Sequence, residues 1–216
     1  MALDKLDRTF YTIEAKEGTV SSVQNTRDKL IDGMRASLRA RGFGSTSMKE
    51  LLADTGVSSG SMYHAFPGGK EALAAATVRE VGLHGAQLIA DVFLEKQSVA
   101  GGLAAIFESL RRDLEQSDFG NGCPIGVPAT EAAGVSEAIQ EASREVFAAW
   151  IVAYRDALIA ESWPDADATQ LASMIVTAYE GSVTVARATR DTTPIEQAAQ
   201  HLISFVESHR SPKEQT

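Results

Sequence analysis

The sequence contains little cysteine and few aromatic residues. Its 216 residues include a single cysteine, Cys123, and aromatic side chains make up 6% of the chain. One cysteine excludes an intramolecular disulfide and any metal site built from several thiolates. No apolar run approaches the ~20 residues of a membrane-spanning helix, and the first 20 residues lack the apolar core of a signal peptide. We therefore expect a cytoplasmic protein without a membrane segment.

Groups suited to catalysis are also scarce. The four histidines, His64, His84, His201 and His209, form no HxxxH or HExxH motif. Cys123 has no basic neighbour in sequence that would favour a thiolate, so an inert buried thiol is expected. Glu131 and Glu180 lie on apolar stretches, where a carboxylate can be functional but is more often paired or on the surface. We expect no catalytic residue, metal or cofactor.

Charge is distributed unevenly along the chain. Residues 25–73 carry seven basic and five acidic side chains, whereas the whole chain has a formal net charge of -9. A mildly basic segment on an acidic chain is expected when one end contacts a polyanion and the remainder does not. Chance variation in surface charge explains the same count, so both explanations stay open on this evidence.

The periodicity of apolar residues is helical almost throughout, and no segment alternates as a strand does. The sequence therefore predicts an all-α fold. The expected long helices are Lys70–Lys96, Leu103–Ser117 after a break at the glycine pair 101–102, Ser136–Ser162, Asp167–Thr189 and a last helix from Thr193, with a short helix after FGNGCPIGVP.

Two short helices with clear capping signals precede these long ones. Ser47 followed by Glu50 is a capping box that opens the first, and Gly56 is suited to the left-handed conformation that ends it. Ser58 can cap the second, which runs from Ser59 to Ala65. Two capped helices joined by a short turn containing glycine form a helix-turn-helix.

The stretch TSMKELLADTGVSSGSMYHAFPGGKEAL closely resembles the helix-turn-helix of the TetR family. The double glycine before Lys70, GCPIGVPATE and AYEGSVTVARATRD resemble the LmrA/YxaF-like branch of that family. The resemblance implies a homodimeric repressor of transcription that binds an inverted-repeat operator and is released by a small molecule. An all-α enzyme and a helical interaction protein without DNA binding are the alternatives.

The resemblance also implies which side chains contact DNA: Thr46, Ser47, Ser58, Ser59, Gly60, Ser61, Tyr63, His64 and Lys70. Serine and glycine would let the second short helix enter the major groove deeply, with hydroxyls near the base edges. Tyr63, His64 and Lys70 would contact phosphates, the last at a helix N-terminus. Alternatively, Ser58 is only a cap, Tyr63 only a packing residue and His64 only a solvated surface group.

An effector pocket is expected among apolar and aromatic side chains of the C-terminal helices. The candidates are Leu103, Phe107, Leu110, Cys123, Ile125, Phe147, Trp150, Tyr154, Met174 and Tyr179. Trp150 and Tyr154 lie one turn apart and offer rings with polar tips, which suits a mainly apolar or aromatic ligand. The alternative is that this set forms an ordinary filled core.

Dimerisation is expected through the last two helices, whose apolar faces are rich in small residues. The candidate interface residues are Leu171, Ile175, Ala178, Ser182, Val185, Leu202 and Phe205. Packing of these faces within one chain is the alternative. The expected domains are a flexible extension (1–22), a DNA-binding domain (23–75), a ligand-binding and dimerisation domain (76–210) and a disordered tail (211–216).

Overall fold

The computed structural model describes residues 22–209, and within that range the chain forms nine α-helices and no β-strand. The helices are α1 (Ser22–Arg41), α2 (Met48–Thr55), α3 (Ser59–Ala65), α4 (Gly69–Lys96), α5 (Val99–Gln116), α6 (Gly126–Glu131), α7 (Glu137–Ala160), α8 (Asp165–Thr189) and α9 (Thr193–Ser208). The predicted all-α fold is confirmed. Apart from Ser22, the predicted N-terminal extension and C-terminal tail lie outside the described residues.

The described residues form two compact units. The head unit comprises residues 22–84 and Gly120–Phe147, and the body unit comprises Gly85–Phe119 and residues 148–209. The head unit therefore contains α1, α2, α3 and α6, and the body unit contains α5, α8 and α9. The boundary expected at residue 75 stays a prediction.

The core of the head unit is built on α1. Leu30, Ile31, Met34 and Leu38 recur at helical spacing along it, and each is at most 1% exposed. This face of α1 packs against α2 and α3, and a smaller contact joins α1 to α6. The first helix thus holds the two short helices in place.

The caps of α2 and α3 are as predicted. The Ser47 hydroxyl accepts a hydrogen bond from Glu50 N at 3.4 Å, and Gly56 ends α2 with φ of 66°. The Ser58 hydroxyl accepts from Ser61 N at 3.1 Å. These bonds satisfy N–H groups that a helix start leaves without a partner.

The predicted break between α4 and α5 is present, but it lies at residues 97–98 and not at the glycine pair 101–102. Ser98 caps α5 by accepting from Gly101 N at 3.1 Å, so both glycines lie inside the helix. A Cβ on Gly102 would collide with the ring of Phe93 on α4. This glycine therefore permits close packing of two helices, and the tertiary contact outweighs its weak helix propensity.

In the body unit, α9 packs against α5 and α8. Four of the seven predicted interface residues point into this packing: Leu171, Ile175, Ser182 and Leu202 are all at most 6% exposed. Val185 and Phe205 instead lie on the outer surface, where they are 48% and 41% exposed. The seventh, Ala178, is half-buried, so the predicted set divides into a group packed within the chain, an outer group and one intermediate residue.

This division predicts that aspartate has different effects on folding at a buried and at an exposed position of α8. Ile175→Asp buries a carboxylate at a position with no exposure, which costs several kcal/mol, comparable to the ~5–15 kcal/mol stability of a domain. Val185→Asp places the charge in solvent and should keep the helical content. Far-UV circular dichroism distinguishes them, and equal retention of helical signal by both variants would contradict the assignment.

Candidate DNA-binding surface and effector pocket

The α3 helix has one buried face and one exposed face. Met62 and Phe66, one turn apart, are 1% and 6% exposed and fix the helix on the core. The opposite face carries only small, hydroxyl or aromatic polar side chains, all exposed: Ser59, Gly60, Ser61, Tyr63 and His64. The outer side of such a helix presents hydrogen-bonding groups on mostly small side chains.

Gly60 has no packing role among residues 22–209. A Cβ added there would meet only the Ser58 hydroxyl, at 4.0 Å. Glycine within a helix costs about 1 kcal/mol relative to alanine, so nothing in the head unit itself accounts for its presence. Close approach of another molecule to this face of α3 would account for it.

Lys70 lies in the first turn of α4, beside the loop that joins α1 to α2. Its ammonium stands 4.5 Å from the centre of the Phe43 ring and 3.5 Å from the Gly44 carbonyl oxygen. Burial lowers the pKa of the Lys70 ammonium, and the charge of Glu131 opposes that shift. Lys70 is therefore a cation held in place by the loop.

The two residues before α2 have different environments. Thr46 is 4% exposed, and its hydroxyl donates to the Gly42 carbonyl at 2.6 Å. That hydroxyl thus holds the loop together rather than facing outward. Ser47 is half-buried and serves as the cap of α2.

Glu131, at the end of α6, holds the same loop from the other side. Its carboxylate accepts hydrogen bonds from Phe43 N and from Gly44 N, the second at 3.0 Å. The sequence singled out Glu131 only as a carboxylate on an apolar stretch. Its partners lie 87 and 88 positions away in the chain, and no local pattern identifies them.

A second connection joins α1 to the segment before α6. Gly122 N donates to the Arg39 carbonyl at 2.9 Å, and the Arg39 guanidinium donates to the Gly122 carbonyl at 3.3 Å. Cys123 follows directly and is buried, as is Ile125. The irregular GCPIG segment is therefore fastened to the last turn of α1.

Several predicted pocket residues meet in the body unit. The ring of Tyr179 makes edge-to-face contacts with Phe107 and Trp150, each at 6.0 Å between ring centres. Tyr154 makes a similar contact at 5.6 Å with Phe93, a residue outside the predicted set. Burial raises the pKa of the Tyr154 phenol, and the charge of Glu180 raises it further. Phe93 could have been found from its helical spacing with Ile89.

The remaining predicted pocket residues are placed differently. Leu103 and Leu110 are buried in the body unit, whereas Met174 is 57% exposed on the outer surface of α8. Cys123, Ile125 and Phe147 belong to the head unit. The aromatic contacts therefore bring together only part of the predicted set.

A cavity of about 540 Å³ lies in the body unit, partly open to solvent. Its wall is mainly apolar and includes Ala90, Phe93, Leu94, Val99, Ala153, Ala157 and Ala160, with Asp156 and Glu161 as its carboxylates. This volume falls in the range of small-molecule sites. Phe93 connects the cavity wall to Tyr154 and hence to the predicted aromatic set.

Within residues 22–209, no cluster of three or more His, Cys, Asp or Glu side chains could hold a metal ion. In the same range, no helix combines the length and apolar character needed to cross a membrane.

Two known families match successive segments of the chain. Residues 30–77 match the family of bacterial regulatory proteins of the tetR type, and residues 99–201 match the C-terminal domain of LmrA/YxaF-like transcriptional regulators. A solved transcriptional regulator of the TetR family from Cytophaga hutchinsonii has the same fold. Its TM-score is 0.75 at 22% identity, covering 91% of this chain and all of the other.

Two curated relatives extend the similarity over most of the chain. The HTH-type transcriptional regulator LmrA of Bacillus subtilis is 26% identical over 174 residues, which is 81% of this chain and 93% of LmrA. An HTH-type transcriptional regulator of Mycobacterium tuberculosis is 30% identical over 182 residues, which is 81% of this chain and 90% of the relative. The helix-turn-helix geometry and these matches agree. The chain therefore belongs to the TetR family of helix-turn-helix transcriptional regulators, with an LmrA/YxaF-like C-terminal domain.

Proposed function

We propose that this regulator is a dimeric repressor that binds an inverted-repeat operator and releases it when a mainly apolar small molecule binds the body unit. The main support for the proposal is the outer face of α3, whose side chains are polar and mostly small. Its inner face is held by Met62 and Phe66, so the helix can enter a major groove as a rigid unit.

The exposed side chains of α3 suit two kinds of contact. Ser59 and Ser61 lie in its first turn, where hydroxyls can donate to or accept from base edges. Tyr63, 56% exposed, and His64 lie in its last turn and suit phosphate contacts. Base contacts determine sequence preference, and phosphate contacts position the protein on any sequence.

Dimerisation is proposed through the outer surface of α8 and α9. Met174, Val185 and Phe205 are large apolar side chains exposed there, and a Cβ at Gly181 would meet nothing within 4 Å. Exposed apolar side chains on two neighbouring helices are typical of an interface. A two-fold related pair of chains would present two copies of α3 to an inverted repeat.

The effector is proposed to occupy the cavity beside Phe93. Its alanine-rich wall leaves room for a ligand, and its apolar character favours a hydrophobic molecule. If the effector lowers operator affinity, linkage requires that the operator lower effector affinity by the same factor. A coupling of ~1–3 kcal/mol gives a roughly 5–150-fold effect.

The matched family and relatives are described as transcriptional regulators, which favours DNA binding over the enzymatic alternative.

Substitutions on α3 should separate phosphate contacts from base contacts. Tyr63→Phe removes one exposed hydroxyl from each chain, so it should weaken binding to all duplexes alike by about 2- to 10-fold per half-site, the value of one hydrogen bond, and by about the square of that factor for the dimer. Ser59→Ala should instead change the preferred base at one position of each half-site. Gel-shift titrations over a panel of single-base operator variants measure both effects.

The matched control is Ser162→Ala, which removes an exposed serine hydroxyl in the turn between α7 and α8 of the body unit. It should leave affinity and base preference unchanged. A change of base preference in Tyr63→Phe but not in Ser59→Ala would reverse the roles assigned here.

The dimer surface can be tested with Val185→Asp, which should keep the chain folded. By symmetry the substitution places one unpaired carboxylate from each chain in the interface, so the variant should be monomeric and lose operator binding. Light scattering measures the mass in solution. A dimeric Val185→Asp variant with normal operator affinity would contradict the proposed surface.

The cavity can be tested by filling it. Ala157→Trp places a large ring in the cavity, so at least about ten times more effector should be needed to release operator DNA, a loss of about 1.4 kcal/mol. Operator binding without effector should be unchanged. Removing Trp150 is less informative, because it is 3% exposed and its loss costs ~3–5 kcal/mol of stability.

The control for this variant is Val152→Trp, which adds the same ring at a 44% exposed position of α7. An effector is first identified by screening apolar compounds for release of the wild-type complex. Wild-type effector sensitivity in Ala157→Trp would place the effector elsewhere.

A further inference from the structure

The α1–α2 loop presents a small group of positive donors on the surface of the head unit. Phe43 N and Gly44 N both point to one oxygen atom, the Oε2 of Glu131. The Lys70 ammonium lies against the same two residues, 4.5 Å from the Phe43 ring centre and 3.5 Å from the Gly44 oxygen. We call this group, formed by Phe43 N, Gly44 N and Lys70, the loop anion site.

The chemistry of the loop anion site is that of an anion receptor. Adjacent backbone N–H groups that converge on one point bind anionic oxygens, and a nearby ammonium adds a full positive charge. In this structure the anion is the chain's own carboxylate. Gly42, with φ of 78°, gives the loop its turn, and a Cβ there would collide with the Glu131 carboxylate.

The loop anion site is accessible from solvent. Gly44 and Glu131 are exposed, and Phe43 and Lys70 are partly exposed. Glu131 is therefore not fixed by burial, and another anionic oxygen can take its place at the two N–H groups. Exchange of one carboxylate for one phosphate oxygen would keep both hydrogen bonds.

The position of the site in the chain indicates which anion enters it. The loop leads directly into α2, and the site shares Lys70 with the phosphate contacts proposed above. A DNA duplex presents a dense row of phosphates to any surface beside its groove. A phosphate flanking the groove that α3 enters is therefore the anion most concentrated at this loop.

We propose that a phosphate of the operator backbone binds the loop anion site and displaces the Glu131 carboxylate. The inference rests on the proposed DNA binding by α3 and Lys70. Glu131 then acts as an internal competitor: its carboxylate holds the loop in shape in the free chain and weakens binding to every DNA sequence. Two competing carboxylates operate in a dimer, one in each chain.

The direct test is Glu131→Gln, which keeps an acceptor oxygen for the loop but removes its charge. Operator and unrelated duplexes should both bind about 3- to 10-fold more tightly, and the plot of log K against log salt should steepen by up to about 0.9 for each protomer. Glu137→Gln is the matched control. It removes an exposed carboxylate from the first turn of α7 in the same unit and should change neither quantity.

A double-mutant cycle with Lys70→Met separates a local effect from a change in net charge. If Glu131 acts through the loop anion site, the increase in DNA affinity caused by Glu131→Gln should fall below about 2-fold when Lys70 is replaced. An equal gain in both backgrounds would overturn the proposal, because it would reflect net charge alone.

A measurement on the wild-type chain does not depend on whether a variant folds. In amide NMR spectra, the signals of Phe43 and Gly44 should shift when an operator duplex is added. Inorganic phosphate at the same ionic strength should leave them nearly unchanged at millimolar concentration. Shifts caused by free phosphate but not by DNA would overturn the assignment to the DNA backbone.

Failure of the inference and failure of the proposed function give different results. If the wild-type chain binds an operator but Glu131→Gln binds it equally or more weakly, only the competitor role of Glu131 is overturned. If the wild-type chain gives no sequence-specific complex with any duplex, the proposed function is overturned and the loop anion site loses its ligand with it.

Discussion

The proposed DNA-binding surface depends on the packing of Met62 and Phe66 against the core of the head unit. The α3 helix has only seven residues, and an isolated helix of that length is not stable in water. Two buried side chains and one serine cap hold it, and on its outer face the Ser61 hydroxyl adds a bond to the Ser58 hydroxyl at 2.9 Å. The other small side chains of that face are not needed to anchor the helix in the core. Gly60 illustrates the consequence, because α3 tolerates a residue that weakens helices while the core supplies its stability.

Local chemistry was sufficient to predict the helix-turn-helix from sequence. The caps at Ser47 and Ser58 and the left-handed Gly56 act between residues at most three positions apart. Contacts distant in sequence were not predictable in the same way. The glycines 101–102 resemble a helix break until Phe93 of the neighbouring helix is placed beside Gly102, and the Glu131 contacts span 87 and 88 positions.

The same limit applies to α8 and α9. Apolar spacing identifies a helix face but not which partner covers it, so the predicted interface combined buried residues such as Ile175 with exposed ones such as Val185. For the proposed effector site, the sequence identified aromatic residues that meet in the body unit. The open cavity depends instead on small residues of α7, such as Ala157, which no motif distinguishes from other alanines.

Selection of bound fragments from a random DNA pool tests the central claim most directly. The account predicts that the selected sequences share an inverted repeat, with half-sites about one helical turn apart or a multiple of it, and that two chains or a multiple of two occupy each site. Selected sequences without two-fold symmetry, or occupied by a single chain, would contradict it.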